Sequence, residues 1–484
     1  MSTELVDEPS TNTAPRNSGA NDHKSLLIIR VLFLLLLLYA AGSIFVAAPF
    51  MQNTGEVVPS PLDYRNTMYL HGLTVSMAGL IGMIAARAFG LSTKVRKVIL
   101  CAVVVAVVVG IVCGSLNTVQ GSIWTWIQLL SFFALDLVLI ALVYGLITVK
   151  NDELRGTSTY WLSLIASSSM LIAALMGDVA GWLLDIGDFF GLFDWWATDV
   201  LGITFDDLMH HIIASHGHQM VVAILALIVG MTSWVMGRGL TGGAATVRRV
   251  SEFIVILGTI GMTVIYILEA FVQPLYRTPL IYRSAPPEQA GLTGVPLIDV
   301  VTGTTVMITG LILIAVSTFG RHREGHELTK RQKTTGTTLT LIWAGIVLIV
   351  CVGGFMLQFN MDIYGGPKID FAKAFAVVHM DIAFFLFPAI VALAYMGMRW
   401  LSPENNRIVN ALLRIGIVIA IIGSLVYFMI NPEWRGPGFW ITGVGFAFIV
   451  AAVVWFLARA DSSTIGDEPV TQQEQVPQEA EEGC

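Results

Sequence analysis

Charge is what this sequence has least of. Only 13 % of its 484 residues are Asp, Glu, Lys or Arg, while 55 % are hydrophobic and the mean hydropathy is +0.75. A soluble protein of this size needs far more charge on its surface. The composition therefore excludes an ordinary soluble enzyme, and it offers no basic face for nucleic acid. Cysteine is scarce too. Cys101, Cys113, Cys351 and Cys484 are scattered, with no CxxC or CxxCH pair. That excludes a disulfide framework, a sequence-readable thiolate metal site and covalent c-type haem. Also missing are a phosphate-binding loop, a nucleotide fingerprint and a zinc-protease motif. Nor are the Gly and Pro interruptions paired as in transporters with broken helices.

Long apolar runs fill the space that charge leaves. Runs of about 20 residues recur along the chain, each enough to cross a hydrocarbon core of roughly 30 Å. They lack the alternation of barrel strands, and open sheets cannot span lipid, so the runs are helical. The expected fold class is an all-α polytopic membrane protein with twelve transmembrane helices, at about 25–50, 67–89, 96–116, 122–149, 159–184, 208–236, 251–273, 298–319, 337–359, 371–398, 407–430 and 437–459. The first run is too long for a signal-peptide core and lacks a small-residue cleavage site. The expected domains are a disordered N-terminal tail at 1–24, a transmembrane domain at 25–459 and a disordered acidic, Gln-rich tail at 460–484. The net charge of −7 gathers in these tails and one loop.

Lys and Arg orient the chain. The even-numbered connections hold 17 of them, and the odd-numbered connections hold 6. The even loops and both termini are therefore expected in the cytoplasm of a prokaryote bounded by this plasma membrane. The loop with Asp185, Asp188, Asp194, Asp199, Asp206 and Asp207 has no basic residue and falls outside.

A weak internal repeat runs beneath this topology. Spans 2, 6 and 10 each bring histidine in near the start and continue apolar: LHGLTVSMAGLIGM, SHGHQMVVAILALIVG and VHMDIAFFLFPAIVAL. The spacing is about four spans, which fits a threefold pseudo-repeat of four helices. Nine histidines are present, and six of them, His71, His210, His211, His216, His218 and His379, enter on these spans at one depth in the outer third of the bilayer. Polar groups there are costly and are usually functional. Two readings fit: ligation of haem or another metal, or interhelical hydrogen bonding beneath an aqueous vestibule. His211 and His218 are seven apart and share a helix face, with His210 close to it and His216 off it.

Three carboxylates lie within spans: Asp136 in span 4, Asp178 in span 5 and Glu269 in span 7. Each either relays protons, ligates metal or pairs with a polar neighbour. Asp381, two residues after His379, either orients that histidine or ligates directly.

The twelve spans, the repeat and the histidines on spans 2 and 10 resemble the heme-copper oxidase subunit I superfamily, which includes cytochrome oxidase and the nitric-oxide-reductase large subunit. YRNTMYLHG, ending in His71 and Gly72, is similar to the family's span-2 segment for its low-spin haem, and VHMDIAFF with His379 is similar to the span-10 segment. By this resemblance His71 is an axial ligand, and His379, His216 and His218 supply the others. The chain departs from the pattern elsewhere. Span 10 has Asp381 in place of a second histidine, span 7 has no His-His pair, and the His-Pro-Glu-Val-Tyr segment is absent. The resemblance thus implies one or two b-type haems. Any copper or non-haem iron would be held differently, by His210 and His211 on span 6, with Glu269 and Asp381 as catalytic candidates. Oxygen or nitric oxide is the implied small gas substrate, with electrons from a separate donor subunit or a quinol. The segment Gln273–Pro296 either docks such a donor or is an ordinary outer loop. The rival readings are a metal-handling permease and a non-catalytic membrane subunit.

Overall fold

The computed structural model describes residues 26–36, 38–39, 64–117, 123–185, 187–188, 190–272, 297–353, 387–429 and 435–461. In chain order the helices are α1 (Leu26–Leu36), α2 (Tyr64–Ala88), α3 (Thr93–Asn117), α4 (Ile123–Ile147), α5 (Asp152–Arg155), α6 (Ser158–Asp185), α7 (Leu192–Trp195), α8 (Phe205–Met236), α9 (Gly242–Phe271), α10 (Leu297–Phe319), α11 (Lys330–Ile346), α12 (Phe387–Trp400), α13 (Pro403–Met429) and α14 (Arg435–Arg459). Two π-helical turns follow directly on α7 and α11, at Trp196–Leu201 and Val347–Val352. Among the described residues there is no strand beyond an antiparallel bridge of Leu240 with His322.

Nine of the described helices are long and apolar enough to cross a membrane: α3, α4, α6, α8, α9, α10, α11 with its π turn, α13 and α14. The expected tails, most of the first span and the first half of the tenth lie outside the described residues. The protein is an integral membrane protein built from apolar helices, and the outward faces of those helices suit lipid contact. On α4, Ile123, Trp126, Leu130, Phe133, Leu137, Ile140, Tyr144 and Ile147 are all exposed, at steps of three and four residues. Such a stripe is an aggregation hazard in water and a lipid-facing surface in a bilayer. The opposite face of α4 buries Gln128, Ser131 and Asp136. Apolar residues fill both faces, and these polar side chains are kept to the buried one.

Consecutive helices pack in groups. The helices α2, α3 and α4 form one group, α6, α8, α9 and α10 a second, and α11, α12, α13 and α14 a third. The α2–α3 crossing is close because Gly72 meets Gly110: a Cβ on Gly72 would lie 2.5 Å from the Gly110 carbonyl oxygen. Phe33 of α1 packs on Phe456 of α14, with ring centroids 5.6 Å apart, so the first and last helices meet.

At the centre α8 touches both α2 and, through Thr232 and Tyr395 at 2.8 Å, α12, which also touches α2. Within the apolar stretch of α8, 94 % of residues are buried, against 22–56 % in the other eight spans. This is the helix with four histidines. It starts at a capping box, where the Thr204 side chain accepts from the Asp207 amide and the Asp207 carboxylate accepts from the Thr204 amide.

Candidate functional site

Three helices bring the site together from α8 outward. His216 of α8 and His71 of α2 face each other with nearly parallel rings, 18° between planes and 6.2 Å between centroids. That separation falls within the range of about 4.5–7 Å between the centroids of offset-stacked rings. It is close to the roughly 6 Å that two imidazoles occupy when each holds one ion at about 2.0–2.1 Å. Phe132 of α4 meets the His71 ring edge-on at 5.9 Å. Gly177 of α6 also lies against His216, where a Cβ would come within 2.9 Å of ring atom Cδ2 and 3.3 Å of Nε2. Glycine is thus required at 177 by the close approach of the ring.

The polar atoms on this stretch of α8 are unusual. Ser215 Oγ, His216 Nδ1 and Gln219 Oε1 are buried and close no hydrogen bond among the described residues. Gln219 holds α6 through its amide, which donates to the Ser169 carbonyl at 3.2 Å, while Ser169 and Thr263 hydroxyls meet at 2.7 Å and tie in α9. Unmet polar atoms in an apolar setting are costly, and each one calls for an explanation.

His218 lies on another side of α8. Two residues are about 200° of helical rotation, so His218 turns from α2 to α9, where its ring lies over buried Tyr266 at 5.9 Å and 21°. Glu269, buried at 6 % exposure, stands one turn farther along α9. The antiparallel register that sets Ser233 beside Glu252 and His218 beside Tyr266 brings Glu269 level with Ser215. His211 is half-buried on the N-terminal turns of α8. His210 sits beside it in the helix. His379 and Asp381 lie outside the described residues, as does the segment Gln273–Pro296. Among the described residues no three His, Cys, Asp or Glu side chains converge on one point.

No protein-family model matches this chain, and no curated protein matches it.

Two arrangements were invisible in the sequence. Asp136 of α4 and Asp178 of α6 are neighbours whose carboxyl groups interact. At the opposite end of the helices, buried Glu252 gathers Thr159, Ser233, Ser158 and Arg248 around its carboxylate. Arg248 also donates to the Gly237 carbonyl and the Thr159 hydroxyl, both at 2.7 Å. Every partner of this ion pair is satisfied, and it binds the ends of α6, α8 and α9 together. Glu252 and Arg248 fall at the edge of an apolar run, where charges read as loop residues. Gly177 gave a weak signal, as a glycine inside a long helix.

Proposed function

We propose that the protein is a membrane haem-binding oxidoreductase with a subunit-I-like fold, serving respiratory electron transfer to oxygen or nitric oxide without a standard copper site. The observation that carries this reading is the His71–His216 pair: two imidazoles from different helices, nearly parallel, at the spacing of a shared ion. The site suits such a group in one further way: Gly177 gives the His216 ring room against α6.

In this reading His71 and His216 hold a b-type haem between α2 and α8, and His379 and His218 are the candidates for a second. His210, His211, Glu269 and Asp381 are the candidates for copper or non-haem iron. Bound haem supplies one-electron chemistry, and an imidazole on each side of the iron favours electron transfer over gas binding. Phe132 and the buried faces of α2, α4 and α8 keep water from the pair.

The twelve-span topology, with the termini in the cytoplasm and a threefold repeat, belongs to the same proposal. Its support is the charge bias of the loops and the meeting of α2, α8 and α12 at the centre, since these are the helices of the second, sixth and tenth spans. The electron donor is a quinol or a separate subunit.

The test is a reduced-minus-oxidised spectrum of the purified protein with its haem content. A b-type band with about one or two haems per chain is expected. Absence of the band sinks the reading, and a bound transition metal without haem would favour the permease instead.

A further inference from the structure

Far from the histidine pair, five helix ends gather arginine around one tryptophan. His71 lies near the start of α2, and Arg87 in its last turn. Trp400 ends α12 and is fully buried. The Arg87 guanidinium stands 5.5 Å from its ring centroid and the Arg399 guanidinium 5.6 Å. Both are within the roughly 6 Å at which a cation and an aromatic ring attract. Asp461, just past α14, donates its amide to the Trp400 carbonyl at 2.8 Å. The residue before it, Ala460, accepts at its carbonyl from the Arg30 guanidinium of α1. Asn406 of α13 packs against α12 one turn before Trp400, where a Cβ on Gly397 would lie 3.2 Å from Asn406 Oδ1.

The unmet polar atoms at this end are nearly all donors. Arg30 Nε, Arg399 Nε, Trp400 Nε1 and Asn406 Nδ2 are buried and meet no acceptor among the described residues. The exception, Asn410 Oδ1, lies one turn farther into α13. Trp400 and Asn406 are each 0 % exposed, so bulk water does not supply the acceptor. Guanidinium and indole groups only donate. The carboxylates of these helix ends, Asp461 and Glu404, are both exposed. Buried donors beneath half-buried arginines call for an anion with several acceptor oxygens. Phosphate is such an anion, and the planar guanidinium fork matches its geometry. Lipid is the nearest source of phosphate. Around Arg30, α1 exposes Leu27, Val31 and Leu34 at steps of four and three residues, a stripe suited to acyl chains. Basic pockets between membrane helices are known seats for phospholipid headgroups.

We propose that the ends of α1, α2, α12, α13 and α14 seat the phosphate of an anionic phospholipid, with Arg30, Arg87 and Arg399 around Trp400 as its charged donors. One ring orders two of the three guanidiniums, so the lipid meets a cluster that is already in place. Trp400 Nε1 and Asn406 Nδ2 are the neutral donors beneath it. The acyl chains lie along the exposed stripe of α1. The seat does not rest on the haem reading. In the proposed topology it belongs to the cytoplasmic leaflet.

Native mass spectrometry tests the seat, on the full chain purified in detergent and given dioleoyl phosphatidylglycerol or dioleoyl phosphatidylcholine. Wild type is expected to retain a single phosphatidylglycerol, several-fold in preference to phosphatidylcholine. Arg399→Gln and Arg30→Gln each lower that retention several-fold. Arg407→Gln, which removes an exposed arginine of α13, leaves it unchanged. Thermal unfolding gives a second reading: added phosphatidylglycerol raises the unfolding temperature of wild type, since a ligand of the folded state stabilises it, and raises that of Arg399→Gln much less. Arg30→Gln carries the same comparison should Arg399→Gln fail to fold. Equal retention of the two lipids by wild type, undiminished retention in the Arg399 and Arg30 variants, or an equal fall in Arg407→Gln overturns the seat. Displacement of the lipid by millimolar inorganic phosphate would assign the cluster to free phosphate and overturn the lipid.

Discussion

At residue scale, the account turns on how closely His216 is held. Gly177 is the most direct handle on it, because a methyl group there would meet the ring within 2.9 Å while His216 itself is kept. Alanine is intrinsically better than glycine in a helix by about 1 kcal/mol, so any loss in Gly177→Ala reports the displaced ring and not a weaker helix. Haem occupancy in this variant is expected to fall several-fold. Gly181→Ala, one turn on and with open space around it, should leave occupancy unchanged. Equal behaviour of the two, measured as haem per protein, would show that the ring position does not matter. The six histidines were legible because imidazole is conspicuous in an apolar run. Which two would meet was not. A rotation of 100° per residue decides whether His216 or His218 faces α2, and that depends on which neighbours pack on α8.

Helix ends and helix crossings set the predictions at element scale. The Arg248–Glu252 pair is buried and fully hydrogen-bonded, with Glu252 1 % exposed. Breaking such a pair by removing one partner costs about 3–5 kcal/mol. Glu252→Ala is therefore expected to lower the unfolding temperature markedly in detergent. Glu153→Ala removes the exposed partner of Arg238 and should cost no more than about 1 kcal/mol. The α13–α14 hairpin closes on glycine. A Cβ on Gly423 would lie 2.4 Å from the Thr442 amide nitrogen, and one on Gly445 would lie 2.6 Å from the Ala420 amide nitrogen, whereas Gly443 faces open space. Small residues allow this backbone contact in lipid, where apolar burial gives no drive to associate. Gly423→Ala and Gly445→Ala are each expected to cost about 1–3 kcal/mol through overpacking, and Gly443→Ala close to nothing, as read by thermal unfolding. Apolar run length made these helices legible one by one. Their contacts were not legible, because Gly423 and Gly443 look alike in the sequence until a partner helix is placed against one of them.

The whole molecule is an assembly of apolar helices in which one, α8, has almost no lipid-facing surface. Periodicity alone could not single it out, since its apolar content resembles that of its neighbours. Its four histidines were visible in the sequence, but that other helices surround them was not. The charge bias of the loops yields a topology that is testable at this scale. Reporters fused after Arg321 and after Asp194 are expected on opposite sides of the membrane, with the first in the cytoplasm. Reporters on the same side would break the twelve-span order.

The central claim is that α2 and α8 share one haem through His71 and His216. Electron paramagnetic resonance of the oxidised, purified protein tests it most directly. The account predicts a low-spin ferric signal in wild type that is lost or converted to high-spin in both His71→Ala and His216→Ala and is retained in His326→Ala, whose ring is in the exposed α10–α11 loop beside Arg323. A low-spin signal that survives either of the first two substitutions would contradict it.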